Sequence, residues 1–335
     1  MRVYRGFGKG GPVFGFIARR ILYSVPVLLM ASFLAFLGVR ATFDPLTKFR
    51  TGIRDPLILE RITKKFGLDR PVLVQYWRWL KGVLHGDFGV SYRTSRDVWP
   101  DLRRSLGVTI QLVVWGIVVA LVIAVFIGIF SSVKQYSIGD YAFTGLAYIG
   151  VAMPPFWFGL LLIQTLGVWV KQRFHLSHPP FFFVGLHSTD KKGFNLDYVR
   201  HLALPVATLS VQLVAQWSRF LRSSMLEVMS SDFIRTARAK GVKRRDVIMR
   251  HAFRNSLIPL TTDVATQSGL LFGGLIITES IFSIPGMGRY FLQSLETGDV
   301  YAVLGYLVLT GVFVVIFNLI ADLAYGFLDP RVRLS

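Results

Sequence analysis

Long apolar segments alternate with polar ones along this chain. Uncharged runs of about 18 residues or more are typical of transmembrane helices, and four such runs occur, at residues 21–39, 105–133, 141–170 and 301–321. Two further segments, residues 202–218 and 256–278, are also largely apolar but carry more polar side chains, and they complete the pattern. We therefore predict an all-α, polytopic membrane protein with six transmembrane helices.

Charge predicts the orientation of these spans. Arg19 and Arg20 precede the first span, which places the N-terminus in the cytoplasm. An even number of spans then brings the C-terminus to the same side. Residues 40–106 become a long external loop, with an amphipathic helix at about 56–66 and with Tyr76, Trp77 and Trp79 at a membrane interface. The predicted domains are residues 1–106 and a five-helix core at 107–335, which contains the cytoplasmic loop 223–256.

Proline and polar side chains mark the inner spans. Met153-Pro154-Pro155 interrupts the third span and predicts a kink or break there. The fourth span carries polar groups that either line a path or make hydrogen bonds between helices. In the fifth span, the carboxylate of Asp263 either lines the same path or pairs with arginines of the cytoplasmic loop 223–256. The predicted path residues are Gln212, Gln216, Asp263 and Gln267.

Composition narrows the classes of function. The 335 residues are 53% hydrophobic, with a mean hydropathy of +0.51, which is typical of an embedded protein. The net charge of +19 comes without a nucleic-acid-binding motif, so lipid headgroups and protein are the expected partners, not nucleic acid. The chain has no cysteine, and His175, His178 and His187 match no metal-ligand spacing. It also has no P-loop and no hydrolase motif, so we expect no catalytic, cofactor or metal site.

The most basic segment is residues 231–255, which carry eight Lys/Arg against two Asp. Ser231 is a suitable N-cap, and Gly241 predicts a helix stop in left-handed geometry. A second short helix is predicted at about 244–253. Two short helices joined at a glycine form an elbow that could receive a partner protein, although an amphipathic helix on the lipid surface is the alternative. The predicted docking residues are Phe233, Ile234, Arg235, Thr236, Ala237, Arg238, Ala239, Lys240, Gly241 and Arg244.

The sequence of this elbow resembles a known family. Residues 235–241, RTARAKG, resemble the cytoplasmic loop of ABC-importer permeases in its dipeptide/oligopeptide form, although the wider pattern has Glu-Ala at the first two positions. Three further stretches resemble the same branch: residues 86–91 (GDFGVS), residues 279–288 (ESIFSIPGMG) and residues 329–331 (DPR).

The resemblance implies a non-catalytic permease subunit of the bacterial plasma membrane that imports di- or oligopeptides. It also implies a second homologous permease, two cytoplasmic ATPases that bind ATP and Mg, and an external peptide-binding lipoprotein. Phe233, Ile234 and Ala237 would then pack into the ATPase, and the neighbouring basic groups would meet its acidic groups. Nickel, an opine or glutathione are alternative cargoes within the same branch. An ion-coupled secondary carrier that uses Asp263, or a membrane scaffold without transport, are alternatives from other classes.

Overall fold

The structure is a computed structural model that describes residues 11–43, 56–66 and 68–328. Within these ranges the regular structure is helical, apart from one isolated β-bridge between Val90 and Asp97. The all-α prediction is confirmed. The described residues divide into two compact units, one formed by residues 11–43, 56–66, 68–107 and 290–319 and the other by residues 108–289 and 320–328.

The helices follow the predicted apolar segments but are longer. The first five are α1 (Gly11–Thr42), α2 (Pro56–Phe66), α3 (Val72–Leu84), α4 (Val98–Val133) and α5 (Ile138–Ala152). After the Pro154-Pro155 break come α6 (Pro155–Leu162), a π-helix (Ile163–Trp169) and α7 (Val170–Arg173). The chain continues through α8 (Leu196–Ser230), α9 (Asp232–Ala239), α10 (Arg244–Asp246), a second π-helix (Val247–Phe253) and α11 (Arg254–Gly274). The last three are α12 (Ile276–Ile281), α13 (Met287–Glu296) and α14 (Val300–Leu328).

Four of the described helices, α1, α4, α8 and α14, are long and apolar enough to cross a membrane. The two halves of the predicted third span meet at 107° and form either a fifth, broken span or a re-entrant loop, so the expected break is confirmed. Helix α11 is not in this set, because Asp263, Gln267 and several hydroxyl side chains lower its hydropathy. The sixth span and the orientation of the bundle therefore remain predictions.

The first unit packs α1, α3 and the start of α14 around aromatic side chains. Phe36, Tyr76, Trp79 and Leu304 belong to one buried cluster. The hydroxyl groups of Tyr76 and Ser32 lie 2.8 Å apart, and the Tyr76 hydroxyl also donates to the carbonyl of Leu29. The rings of Tyr76 and Trp79 therefore fill this core, and the membrane-interface position of the segment stays a prediction. Trp77 is 58% exposed, as an interface residue would be.

The GDFGVS motif lies in the first unit, where it contacts the start of α14. Gly89 has φ of +89°, and a Cβ at this position would lie 2.9 Å from the ring of Tyr301. The buried carboxylate of Asp299 accepts hydrogen bonds from the Ser91 hydroxyl and from the backbone N–H of Arg93. A glycine is thus required here both by the backbone conformation and by the close approach of an aromatic ring.

Helix α8 is the centre of the second unit, where α5, α6 and α11 pack against it. Trp217 and Leu221 are fully buried. Two glycines of α4 permit close approach to α8: Gly116 faces Leu209, and Gly128 faces Leu221. The Ser210 hydroxyl donates to the carbonyl of Gly116 at 3.0 Å. Helix packing through glycine and hydroxyl groups is typical of membrane proteins.

Candidate coupling surface and membrane path

The elbow begins where α8 ends. Ser231 leaves helical geometry (ψ 154°) and is the only residue between α8 and α9, and its carbonyl accepts from the N–H groups of Ile234 and Arg235. Its hydroxyl does not cap α9 as expected. It donates instead to the carbonyl of Val228, in the last turn of α8. A single residue therefore connects α9 to a 35-residue helix, so the junction is short and hydrogen-bonded on both sides.

The end of α9 confirms the predicted glycine stop. Gly241 has φ of +75°, and the N–H of Val242 donates to the carbonyl of Ala237 at 3.2 Å. The N–H of Gly241 itself donates to Arg238. These are the hydrogen bonds of a helix that ends in a left-handed residue, a conformation that glycine adopts without steric cost.

Helix α9 presents two different faces. Ile234 is fully buried and Ala237 is 9% exposed, because α9 packs against α8 and the second π-helix. The prediction that these two side chains enter a partner is therefore wrong. They hold α9 against its own chain.

The outward face of α9 retains the other predicted docking residues. Phe233 is 46% exposed. Arg235 lies 3.5 Å from Asp232, and both side chains are solvent-exposed. We call the following exposed set the elbow surface: Phe233, Arg235, Thr236, Arg238, Ala239, Lys240, Gly241 and Arg244.

The second half of the elbow is not a separate helix. Helix α10, the π-helix Val247–Phe253 and α11 follow one another without interruption, so the helical path runs from Arg244 to Gly274. The predicted end near residue 253 is therefore wrong. Val247, Ala252 and Ser256 are buried along this path, and the Ser256 hydroxyl donates to the carbonyl of Ala252. The elbow is thus continuous with the predicted fifth span.

A buried ion pair that sequence reasoning missed connects α5 to α8. The guanidinium of Arg222 donates to both carboxylate oxygens of Asp140, with two distances of 2.8 Å. Asp140 also accepts from the N–H of Tyr136, and its side chain is 2% exposed against 25% for Arg222. Asp140 directly precedes the third predicted span and Arg222 directly precedes the predicted cytoplasmic loop, and these positions are the signal that could have suggested the pair. Bidentate Arg–carboxylate pairs fix geometry as well as charge.

The two path residues of α8 have different surroundings. The Gln212 amide donates to the carbonyl of Met153 at 3.3 Å, at the Pro154-Pro155 break. It therefore satisfies a backbone group that the break leaves without a helical partner, which membrane interiors require. Gln216, one turn further along, is exposed.

The two path residues of α11 contact each other. The Gln267 amide donates to Asp263 at 2.8 Å, and both side chains are half-buried. No arginine forms an ion pair with Asp263 in the part of the chain that the structure describes. The alternative in which Asp263 pairs with the loop arginines is therefore wrong.

The ESIFSIPGMG motif forms a hydrogen-bonded turn around a buried carboxylate. Glu279, fully buried, accepts from the Thr109 hydroxyl at 2.6 Å and from the N–H of Arg289 at 3.0 Å. Thr109 in turn accepts from the N–H of Met287. Burial raises the pKa of Glu279, which lies beyond the predicted fifth span, and these hydrogen bonds oppose that rise. Gly286 packs directly on the carboxylate, where a Cβ would overlap it.

His187, in the segment between the third and fourth predicted spans, takes part in packing. His187 stacks on Tyr198, with ring centroids 5.2 Å apart. Among residues 11–43, 56–66 and 68–328, no cluster of His, Asp or Glu has the arrangement of a metal site.

Comparison with known proteins identifies the family. The family described as "Binding-protein-dependent transport system inner membrane component" matches residues 120–334, and its N-terminal companion family matches residues 13–113. The chain is 37% identical to the oligopeptide transport system permease protein AppB of Bacillus subtilis, over 95% of this chain and 99% of that protein. It is 35% identical to the dipeptide transport system permease protein DppB of Escherichia coli, over 95% and 98% of the two chains. It is also 35% identical to the oligopeptide permease OppB of Mycobacterium bovis, over 96% and 99%.

These matches cover both units and include the elbow, the Pro-Pro break and the ESIFSIPGMG turn. The chain therefore belongs to the family of binding-protein-dependent transport system inner membrane components, and it is a multi-pass permease of the bacterial inner membrane.

Proposed function

We propose that this chain is the permease subunit of an ATP-driven importer that moves di- and oligopeptides across the plasma membrane. The relatives named for dipeptide and oligopeptide transport support this cargo, since they match nearly the full length of the chain. The chain itself is non-catalytic. Two cytoplasmic ATPases bind ATP and Mg, a second homologous permease completes the passage, and an external binding protein delivers the peptide.

One observation carries the proposal. The elbow surface is exposed, whereas the opposite face of α9 is buried against the rest of the chain. Phe233 and the cations of α9 face outward, and Ile234 and Ala237 are buried beneath them. An exposed aromatic residue on the same helix as exposed arginines is a composition typical of interfaces, which are enriched in aromatic side chains and Arg. We assign the elbow surface to the ATPase.

Continuity of the helices explains how motion would travel. Helix α8 reaches the elbow through Ser231 alone, and the elbow continues into α11 through a π-helix. A force applied at the elbow surface would therefore tilt α8 and α11 together, and it would not be absorbed by a flexible linker. This tilt switches the passage between its inward-open and outward-open states.

The polar residues of α8 and α11 line the proposed passage. Gln216 is exposed in the single chain, and Asp263 and Gln267 are half-buried and bonded to each other. Polar groups on a membrane helix face protein or water and avoid lipid. These three side chains therefore face the space that this chain shares with the second permease, whereas Gln212 stabilises the break at Met153.

The docking role is tested with the variant Phe233→Ala/Arg238→Glu in the assembled transporter. Both side chains are exposed, so the fold should be preserved. We expect at least a tenfold loss of peptide uptake and of co-purified ATPase, about 1.4 kcal/mol of binding free energy or more. The matched control is Phe174→Ala/Arg173→Glu, an exposed Phe–Arg pair on the predicted outer side. Normal uptake and normal ATPase recovery in the first variant would overturn the assignment.

The cargo is tested separately by reconstituting the permeases, the ATPases and the binding protein in vesicles. Labelled di- and tripeptides should enter in an ATP-dependent manner, and unlabelled peptides should compete. Uptake of nickel, an opine or glutathione in preference to peptides would exclude the peptide assignment and leave the ATPase docking intact.

A further inference from the structure

A cavity of about 620 Å³ lies between the end of α4 and the beginning of the second half of the elbow. This volume falls within the range of about 300–1,000 Å³ that is usual for small-molecule sites. The cavity does not overlap the elbow surface except at Arg244, and none of the predicted path residues lines it. The proposed function therefore leaves it unexplained.

The walls of the cavity are apolar and come from both elements. Helix α4 contributes large side chains from successive turns. The elbow contributes two further large side chains. The apolar lining residues are Phe126, Ile129, Phe130, Val133, Ile248 and Met249. Phe126 is 64% exposed and Met249 is 42% exposed, so the cavity is open on one side. In a membrane protein, such an open apolar groove accepts hydrocarbon.

The rim of the cavity is cationic. Lys134, Arg244 and Arg245 complete the lining. The Lys134 ammonium lies 5.2 Å from the centroid of the Phe130 ring, and this contact holds it beside the apolar wall. Within the described residues, none of these three cations has a carboxylate at ion-pair distance. The nearest acid in sequence, Asp246, pairs with Arg250 and does not line the cavity.

The combination of an apolar groove and an uncompensated cationic rim fits one chemical class. An anionic phospholipid places acyl chains against apolar side chains and its phosphate among Lys and Arg groups. The position supports this occupant, because Lys134 directly follows the last residue of α4, which is also the end of the second predicted span. A free anion would satisfy the three cations but would leave the apolar walls uncovered, whereas a phospholipid occupies both parts of the cavity.

We propose that this cavity binds an anionic phospholipid of the leaflet that faces the elbow. The phosphate lies among Lys134, Arg244 and Arg245, and one acyl chain follows α4 past Val133 and Ile129. The lipid joins the end of α4 to the first turn of the elbow's second half. Anionic lipid therefore stabilises the elbow against α4, independently of which cargo the transporter carries.

Lipid retention by the purified protein tests the cationic rim. The protein is exchanged into phosphatidylglycerol or phosphatidylcholine nanodiscs, and bound lipid is counted by native mass spectrometry. Lys134→Gln/Arg244→Gln/Arg245→Gln should lower retained phosphatidylglycerol by roughly tenfold or more, because each cation contributes to headgroup binding. The control Lys171→Gln/Arg173→Gln/Lys192→Gln removes the same charge from exposed positions elsewhere and should retain the lipid. Equal retention in both triple variants would overturn the proposal.

A second variant tests the apolar wall without altering charge. Val133→Trp fills the cavity and should expel phosphatidylglycerol, while folding is monitored by thermal unfolding in detergent. Glycerol phosphate, which has the headgroup but no acyl chain, should not displace the lipid at millimolar concentration. Retention in Val133→Trp, or displacement by glycerol phosphate, would identify a headgroup-only anion site and overturn the lipid assignment.

The identity of the occupant is read directly with a photo-crosslinking amino acid at Met249. In membranes that contain the assembled transporter, the expected adduct is a phospholipid, identified by its mass. A crosslink to an ATPase or to the second permease, without a lipid adduct, would show that protein covers the cavity and would refute the proposal. The readout is bound lipid, so the result does not depend on whether the ATPase docks at the elbow surface.

Discussion

Single charged residues fix the ends of the helices in the second unit. The pair between Arg222 and Asp140 joins α8 to the first turn of α5, and both groups are largely removed from water. Removing one partner of a buried pair is costly, because the remaining charge has no compensation. Replacing both partners costs much less, since neither charge then remains buried.

We expect Asp140→Asn to reduce the free energy of unfolding by about 3 kcal/mol. Arg222→Gln should have a similar effect, and the double variant should be less destabilised than the sum of the two. Thermal unfolding in detergent measures all three. Arg219→Gln is the control, because Arg219 lies over the ring of Tyr148 and forms no ion pair among the described residues, so its replacement should cost about 1 kcal/mol or less. Additive effects in the double variant would contradict the pairing.

Glu279 organises the ESIFSIPGMG turn in a different way. Its carboxylate is surrounded by hydrogen-bond donors from Thr109 and Arg289, and the absence of a side chain at Gly286 leaves room for it. The carboxylate and the glycine therefore depend on one another, and this coupling can be measured.

Gly286→Ala should lower the free energy of unfolding by about 1–3 kcal/mol, because the added methyl group overlaps the Glu279 carboxylate. In a Glu279→Ala background the same change should cost clearly less, which a double-mutant cycle detects. Gly145→Ala is the control, since a Cβ there meets nothing and alanine favours the helix. Equal costs of Gly286→Ala in both backgrounds would show that the contact is unimportant.

At the scale of elements, the decisive feature is the unbroken helical path from the elbow into α11. Ser231 joins α8 to α9 through hydrogen bonds, and the π-helix Val247–Phe253 joins the second half of the elbow to α11. Glycine would loosen such a path without removing a buried contact, provided that it replaces exposed residues. Arg254 and Asn255, at the start of α11, are both exposed.

We expect Arg254→Gly/Asn255→Gly to separate ATP hydrolysis from transport. Each glycine costs about 1 kcal/mol of helix stability, so the elbow should bend independently of α11. Peptide uptake should fall several-fold while the assembled complex continues to hydrolyse ATP. The variant Arg254→Ala/Asn255→Ala removes the same side chains and retains the helix. If the glycine pair transports as well as the alanine pair, rigidity of this junction is not required.

At the scale of the whole molecule, the orientation of the bundle decides which side of the membrane the elbow faces. Six spans with a cytoplasmic N-terminus place the elbow in the cytoplasm, where an ATPase can dock. The natural absence of cysteine makes the prediction simple to test, because single cysteines can be introduced without background.

Cysteines at Arg238 and Lys192, both exposed, should react with a membrane-impermeant maleimide from opposite sides. We expect Lys192→Cys to be labelled in intact spheroplasts and Arg238→Cys only in inverted vesicles. Labelling of Arg238→Cys from outside would invalidate both the ATPase docking and the assignment of the lipid leaflet.

The sequence by itself determined the class of the protein and the kinds of its elements. Long apolar runs require helices in a membrane, Pro154 and Pro155 require a break, and Gly241 permits the left-handed end of α9. These are local effects, because they depend on residues within a few turns of one another. The resemblance of RTARAKG to a family loop added the functional context.

Only the tertiary structure decided which face of each element is buried and which distant residues meet. Ile234 and Phe233 are adjacent in sequence and similar in hydrophobicity. Ile234 is buried and Phe233 is exposed because of the way α9 packs against α8 and the second π-helix. Asp140 and Arg222 are 82 positions apart, and Thr109 and Glu279 are 170 apart. Contacts across such separations follow from how the helices pack, and helix packing is not encoded in any local pattern of apolar and polar residues.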